Sequence, residues 1–528
     1  MCGFLVVENE KFVCNNFITS LNKIIHRGPD NRNCYSNNNI SWGFNRLSIM
    51  DLSANGNQPF IYNDCVVVCN GEIYNYSSLK KNIENEYEFV SGSDCEVLIP
   101  LYLKYGIEIT CKLLDAEFAM VLYDGATKKL IAARDPMGIR PMFYGYIKET
   151  KEICFASEAK GLIDICENVA PFPPGYFYID GKFICYNDLS QVNSVCEDSL
   201  DDIGKNIRKK LETAVQKRLQ SDAPIGYLLS GGLDSSLVCA IASKLNNKPL
   251  RTFAVGMDKD PIDLKYAKEV SEYIGSDHTE VIMTKDDVLK SLREVIYHLE
   301  TWDITTIRAS IGMYILCKYI HEKTNLKVIM TGEVSDELFG YKYTDFAPSP
   351  SEFQKESQKR IKELYMYDVL RADRCISAHA LEGRVPFADI DFVRYVMSID
   401  PAKKMNRYNK GKYLLRYAFK DENYLPEDIL FREKAAFSDA VGHSMVDYLK
   451  EYANCIYTEE DLMKSHEKYS HCPPFTKESL LYREIFEEFY PAQGKWIKNF
   501  WMPNKSWEGC NVDDPSARVL ANYGESGN

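Results

Sequence analysis

Apolar residues in the first 190 or so positions come in short runs, several alternating with polar ones. GFLVVE (Gly3–Glu8), SWGFNRLSI (Ser41–Ile49), CVVVCNGEIY (Cys65–Tyr74), AEFAMVLYD (Ala116–Asp124) and KLIAARD (Lys129–Asp135) predict strands separated by turn residues. Helical spacing is rarer and falls on NNFITSLNKIIH (Asn15–His26) and on the stretch that follows SGSDCEVLIPLYLKYG (Ser91–Gly106). Strands this dominant predict stacked sheets with helices outside them.

The pattern changes near residues 187–205, which are polar and acidic and read as a linker into a helix. Strands then alternate with helices: PIGYLL, a helix from Ser236, LRTFAVGM, a helix, HTEVIM, two helices, and LKVIMTG. That alternation predicts a parallel sheet with crossover helices. From Phe353 to about Tyr490 the chain reads as helical, and beyond it as a polar segment with turn residues that wraps the surface or frays. The expected domains are residues 2–190, residues 205–500 and a polar tail at 501–528.

Length and charge sharpen this picture. A chain of 528 residues and 60.6 kDa is too long for one core. A net charge of −13 argues against general affinity for nucleic acid or for an anionic membrane, so an anionic ligand must meet local positive groups. The 17 cysteines are scattered without a CxxC pair, which suits reduced thiols in a cytoplasmic protein. No run approaches the roughly 18 apolar residues of a membrane span.

The most specific chemistry lies in LLSGGLDSSLV (Leu228–Val238). An apolar strand enters Ser230-Gly231-Gly232, and a helix is expected to begin near Ser235 or Ser236. Glycines admit a close ligand, and free N–H groups at a helix start form an anion site. The lysine and glycine spacing of a Walker loop are missing. The loop resembles the SGGxDS element of ATP pyrophosphatases, where Asp234 tolerates pyrophosphate only across a bridging Mg²⁺. A second strand end, IMTGEVSDELFG (Ile329–Gly340), offers Asp336 as the other carboxylate, although acidic capping of a helix would look the same.

The start, MCGFLVVE, alone reads most simply as a buried thiol on a first strand. Downstream motifs change that reading. HRGPD (His26–Asp30), NRLSIMD (Asn45–Asp51), NGEIYNY (Asn70–Tyr76), SGSDCEVL (Ser91–Leu98), RDPMGIRPMFYG (Arg134–Gly145) and FASEAKGL (Phe155–Leu162) follow in order. With the pyrophosphatase loop they resemble class II glutamine amidotransferases, and specifically the glutamine-hydrolysing asparagine synthetases. The resemblance continues through LETWDITTIRASIGMYIL (Leu299–Leu316), LEGRVPFAD (Leu381–Asp389), REKAAFSDAVG (Arg432–Gly442) and YREIFEEFYP (Tyr482–Pro491).

The resemblance implies an Ntn-hydrolase αββα sandwich followed by a doubly wound parallel α/β sheet with added helices. It implies that Cys2, freed of Met1, attacks the glutamine amide with its own α-amine as base. Asn70 and Gly71 would form the oxyanion hole. The glutamine-binding set would be Arg46, Leu47, Ser48, Ile49 and Met50 with Asn70, Gly71, Glu72 and Asp94. For ATP it implies Leu229, Ser230, Gly231, Gly232, Asp234, Ser235, Ser236, Val255, Thr331 and Gly332, with Mg²⁺ on Asp234 and Asp336. Lys434 would stabilise phosphate charge during formation of β-aspartyl-AMP. Glu333 would accept a proton when ammonia attacks, and that ammonia would arrive through an apolar internal passage. The implied partners are glutamine, aspartate and ATP, with no nucleic acid or membrane, and a homodimer is open.

Departures from the family pattern cluster in the second half. Ala435, Ala436 and Ala440 replace a Glu-Gln pair and a glycine, Thr331 replaces a serine, and a single glycine, Gly340, precedes Tyr341. Val334 stands where the family has glycine. Since valine disfavours positive φ, the expectation is a locally different backbone if that glycine needs it. Other carboxylate acceptors on the same fold, and a non-catalytic homologue, stay as alternatives.

Overall fold

The computed structural model describes residues 1–8, 14–37, 39–259, 261–406, 410–432 and 443–523. They divide into two compact units. The first comprises Met1–Leu189, Gln220–Pro224 and Ile376–Glu382; the second comprises Ser190–Leu219, Ile225–Cys375 and Gly383–Asn528.

The described residues of the first unit form twelve strands: β1 (Gly3–Glu8), β2 (Asn31–Asn37), β3 (Ile40–Arg46), β4 (Phe60–Tyr62), β5 (Cys65–Ile73), β6 (Ala116–Asp124), β7 (Lys129–Arg134), β8 (Phe143–Ile147), β9 (Ile153–Ala156), β10 (Cys166–Pro171), β11 (Tyr176–Ile179) and β12 (Lys182–Cys185). They form two six-stranded antiparallel sheets, in the orders β10-β8-β9-β1-β3-β2 and β12-β11-β7-β6-β5-β4. Even-numbered residues of β5, Val66 and Val68, meet Phe4 and Val6 of β1 in the layer between the sheets. Odd-numbered ones, Cys65, Val67, Cys69 and Ile73, face the outer helices α2 (Tyr76–Lys81) and α3 (Leu98–Leu113). Both faces of β5 are therefore covered, and its first five residues, Cys65–Cys69, are apolar without a break where a half-exposed strand would alternate. Helix α1 (Cys14–Asn22) covers the other sheet: a Cβ on Gly43 of β3 would come within 2.7 Å of Leu21. The layers are αββα, as expected. The weakly patterned β2 (NRNCYSN) was not expected, because an exposed edge strand needs no apolar face. Helix α3 starts before the stretch predicted for it and passes Gly106 at φ 75°.

The second unit is built on β13 (Ile225–Leu228), β14 (Arg251–Met257), β15 (Asp277–Met283), β16 (Val328–Met330) and β17 (Glu382–Arg384), ordered β15-β14-β13-β16-β17. β13 pairs in parallel with both β14 and β16, and β14 with β15. Helices α4 (Leu200–Arg218), α5 (Leu233–Leu245), α6 (Ile262–Ile274), α7 (Lys285–Leu299) and α8 (Ile304–Lys323) complete the doubly wound layer. The strand order reverses between β13 and β16, and ligands of open α/β sheets bind at the carboxyl side of such a reversal. Among the described residues, no helix is long and apolar enough to cross a membrane.

The segment after residue 500 was expected to wrap or fray. Instead it packs Trp501, Trp507, Cys510 and Leu520 into a buried cluster with Tyr343, Phe353, Met366 and Tyr367. Arg308 of α8 holds the segment from beneath. Its Nε lies 2.8 Å from Glu478 Oε1 and its Nη1 2.9 Å from Asp514 Oδ1. Arg308 and a second cation, Lys450 at 2.7 Å, hold the Asp514 carboxyl well below the usual range despite burial.

A carboxylate with a depressed native pKa stabilises the fold above its unfolded value of about 4, and this contribution fades as pH falls towards the native value. Asp514→Asn should therefore lower stability at pH 7 by about 1–3 kcal/mol. The deficit should shrink only in acid, as read from thermal melts of parent and variant between pH 7 and pH 3.

Candidate active site

Two sets of polar groups stand out, one in each unit. In the first unit, β1 lies between β9 and β3, so Cys2 sits at the mouth of a central, rigidly held strand. Its thiol points to the carbonyl of Leu47 at 3.6 Å, and its own carbonyl accepts from Arg27 Nε at 2.9 Å. Arg27 is fixed in turn by Glu158 at 2.6 Å. The α-amine of Met1 donates to the Leu381 carbonyl at 3.3 Å, and burial lowers its pKa to about 5. Burial also pushes the Cys2 thiol up to about 11, partly opposed by that ammonium and by the contact with Leu47. With Met1 attached, Cys2 is thus a protonated thiol whose nitrogen is an amide.

Asn70 shares the inward face of β5 with Val66 and Val68, the layer against which Cys2 also packs. It is 1% exposed, yet neither its Nδ2 nor its Oδ1 has a hydrogen-bond partner among the described residues. An orphaned buried amide costs about 1–3 kcal/mol, so Asn70 is a group that a polar ligand could satisfy. Next to it, Gly71 leaves no room for a side chain: a Cβ would come 2.5 Å from the Glu117 carbonyl. Asp94 accepts from the Ile73 N–H at 2.7 Å, and Glu72 is buried. The Arg46 guanidinium organises the loop that follows β3. It donates to the Ser53 carbonyl at 2.7 Å, to Asn57 Oδ1 at 2.8 Å, and to the carbonyls of Met50 and Asp51.

In the second unit a cavity of about 270 Å³ opens at the carboxyl ends of β13, β14 and β16. Leu229, Ser230, Gly232, Asp234 and Ser235 line it from the first loop, Val255 from β14, and Thr331, Gly332, Glu333 and Asp336 from the loop after β16. Helix α5 begins at Leu233, earlier than expected, with Gly232 at its N-cap, so Asp234 lies in the first turn. The two loops touch: a Cβ on Gly332 would lie 2.7 Å from the Ser235 nitrogen. Gly231 faces away from the cavity. It takes φ 71° and lies so close to α6 that a Cβ would be 2.5 Å from the Ala267 nitrogen. Ser236 is fully buried, and its hydroxyl has no hydrogen-bond partner among the described residues.

Asp234 accepts from the Ser335 hydroxyl at 2.7 Å, and the ammonium of Lys412 lies 2.6 Å from Asp234 and 2.8 Å from Asp336. Two carboxylates that share one cation at these distances converge on a single point. No group of three or more His, Cys, Asp or Glu able to hold a metal exists among the described residues. A carboxylate pair is what Mg²⁺ uses when phosphate supplies its other oxygens, so the residues present fit that ion. Glu333 accepts from Arg371 Nη2 at 2.5 Å, and Arg371 also reaches Asp368 at 3.0 Å. Burial raises the Glu333 carboxyl above its ordinary range, although Arg371 pulls it down.

Comparison with known proteins matches both units of the chain to one family. Residues 1–172 match the glutamine amidotransferase domain, and residues 206–355 and 345–513 match asparagine synthase. Over 99% of both chains, the sequence is 41% identical to the glutamine-hydrolysing asparagine synthetase of Gallus gallus. It is 40% identical to that of Mus musculus and 39% to that of Homo sapiens at the same coverage. The chain belongs to the glutamine-hydrolysing asparagine synthetases.

Of the residues this family points to, Lys434 lies outside the described residues, as do Ala435, Ala436 and Ala440. Sequence reasoning missed Lys412 and Arg371. Neither belongs to a motif read from the sequence, and Lys412 is 178 positions from the aspartate it meets. Valine's aversion to positive φ does not exclude it at position 334: Val334 adopts φ 80°, ψ −15°, in the left-handed region, while 2% exposed. Packing on both sides of the turn holds a conformation that a β-branched residue avoids at a cost of about 1–3 kcal/mol.

That strain reverses an ordinary preference. Glycine normally lowers stability by about 0.5–1 kcal/mol relative to alanine inside an element. At position 334, Val334→Gly should instead melt at or above Val334→Ala, because only glycine enters this region freely. A higher melting temperature for the alanine variant would show that the turn relaxes when the valine is removed.

Proposed function

We propose that the protein makes asparagine from aspartate, with ATP activating the carboxylate and glutamine supplying the nitrogen. The observation that carries this reading is the presence, in one chain, of the Cys2 thiol on the layer that holds an unsatisfied amide, and of a crevice with converging carboxylates at the ends of parallel strands.

In the first unit, Cys2 acts once Met1 is removed. Its free α-amine takes the thiol proton, and the thiolate attacks the glutamine side-chain amide. The Asn70 side chain and the Gly71 N–H meet the oxyanion, which fits the orphaned state of Asn70. Ammonia leaves, and hydrolysis of the thioester releases glutamate. Glu72 and Asp94 suit the α-ammonium of glutamine. Arg46 suits its α-carboxylate, directly or through the Leu47–Met50 loop that it anchors.

In the second unit, the Ser230–Ser236 loop and the start of α5 receive the β- and γ-phosphates, while Leu229, Val255, Thr331 and Gly332 lie towards the nucleoside. The aspartate β-carboxylate attacks the α-phosphorus, giving β-aspartyl-AMP and pyrophosphate. Mg²⁺ held by Asp234 and Asp336 would neutralise charge on the departing pyrophosphate. Lys434 is assigned the phosphate charge of the adenylation step. Glu333, raised in pKa by burial and aimed by Arg371, takes the proton as ammonia attacks the acyl-adenylate and AMP leaves. Unbridged thiols and the acidic charge favour a cytoplasmic location, and a homodimer is the proposed assembly.

Purified protein given ATP, Mg²⁺, glutamine and aspartate should form asparagine and pyrophosphate in equal amounts. Pyrophosphate release with another carboxylate, and none with aspartate, would sink the reading. Cys2→Ala should abolish glutamine-dependent synthesis and spare synthesis from free ammonia, and intact-mass analysis of the active parent should find Met1 gone. Glu333→Gln should slow ammonia-dependent synthesis by about 100-fold or more. Aspartate-dependent ATP–pyrophosphate exchange should fall far less; equal losses would move Glu333 to the adenylation step.

A further inference from the structure

Lys412 is the cation that bridges the two aspartates of the crevice, and its placement carries a consequence for metal binding. Its backbone sits at φ 57°, ψ 35°, at the start of the helix Tyr413–Phe419, and its side chain is 3% exposed. The ammonium lies 2.6 Å from Asp234 Oδ2, 2.8 Å from Asp336 Oδ1 and 3.1 Å from Ser335 Oγ. All three contacts fall on the two segments that line the proposed pyrophosphate site. An ammonium and a divalent ion cannot both occupy the gap between one pair of carboxylates. In a partly water-excluded crevice their repulsion is only weakly screened.

We propose that Lys412 is an internal counter-ion that closes the Asp234–Asp336 pair to free divalent metal while the nucleotide site is empty. Metal enters only as a metal–triphosphate complex, because the incoming phosphates bring the negative charge that draws the ammonium off the carboxylates. The device rests on the reading that these two aspartates hold the metal. It also keeps two like charges together without ligand, a state that would otherwise repel and protonate.

The test uses the full chain without nucleotide and Mn²⁺ alone, with free Mn²⁺ followed by electron paramagnetic resonance. The parent should bind Mn²⁺ at least about tenfold more weakly than Lys412→Met, where the blocking charge is gone. Lys412→Arg keeps the charge and should behave as the parent. Asp234→Asn added to Lys412→Met should erase the gained affinity. Lys412→Gln, which retains a donor for Ser335, stands in should the methionine variant fail to fold. Equal Mn²⁺ affinity in the parent and both uncharged variants would overturn the proposal, as would a gain that survives Asp234→Asn. A separate arm with ATP present checks the metal assignment itself: there Asp234→Asn should bind Mn²⁺ more weakly than the parent. Loss of that difference removes the metal reading, whereas its persistence without any Lys412 effect removes only the counter-ion role.

Discussion

The reversal of strand order between β13 and β16 is the constraint on which the synthetase half depends. Parallel neighbours must send their following segments away from a shared edge, and the gap left at their carboxyl ends cannot be filled by either crossover. Into that gap the two loops bring backbone N–H groups, hydroxyls and carboxylates. The loops approach so closely that Gly332 has no space for a side chain against Ser235. Carboxylates gathered in such a place are poorly hydrated and need a cation. The fold supplies one from far along the chain, and the Asp234–Lys412–Asp336 bridge is the result.

The same logic of withheld and supplied partners runs through the amidotransferase unit. A strand covered on both faces gives a buried side chain few hydrogen-bonding neighbours. Asn70 is accordingly left with none among the described residues. Arg27 is treated in the opposite way, with Cys2, Glu158 and Ser377 all taken up by one guanidinium. The contrast separates a group kept available for ligand from one that fixes the start of β1. Burial also works against the thiol until the terminal amine is its own, because a desolvated thiol beside an amide nitrogen holds its proton.

Strain and buried charge gather around the loop after β16. Val334 sits in left-handed backbone between Glu333, which Arg371 engages, and Ser335, which binds Asp234. The turn aims its two neighbours at different partners, and the packing of the valine is the local cost of that aim. The C-terminal segment lines the same cavity with Trp501, Pro503, Ser516 and Leu520. Trp501 and Trp507 enter a core cluster, and Asp514 completes the Arg308 network, so a stretch rich in turn residues is structurally part of the unit.

Much of this was legible in the residues. The apolar runs located β1, β5, β6 and β7, and the change from short strands to strand–helix alternation marked two architectures. The chemistry of the SGGLDSS loop needs only local backbone and neighbouring side chains, so its strand–turn–helix form could be read directly. Periodicity was silent for β2, whose exposed edge position demands no pattern, and for the tail, whose anchors are single residues among polar ones. By itself the sequence determined most of the buried elements, the phosphate loop and the family, because these are encoded by residues close together in the chain. Only the tertiary structure decided which charges meet. Lys412 with Asp234, Arg371 with Glu333 and Arg308 with Asp514 are pairs distant in sequence, joined by packing that no local pattern records.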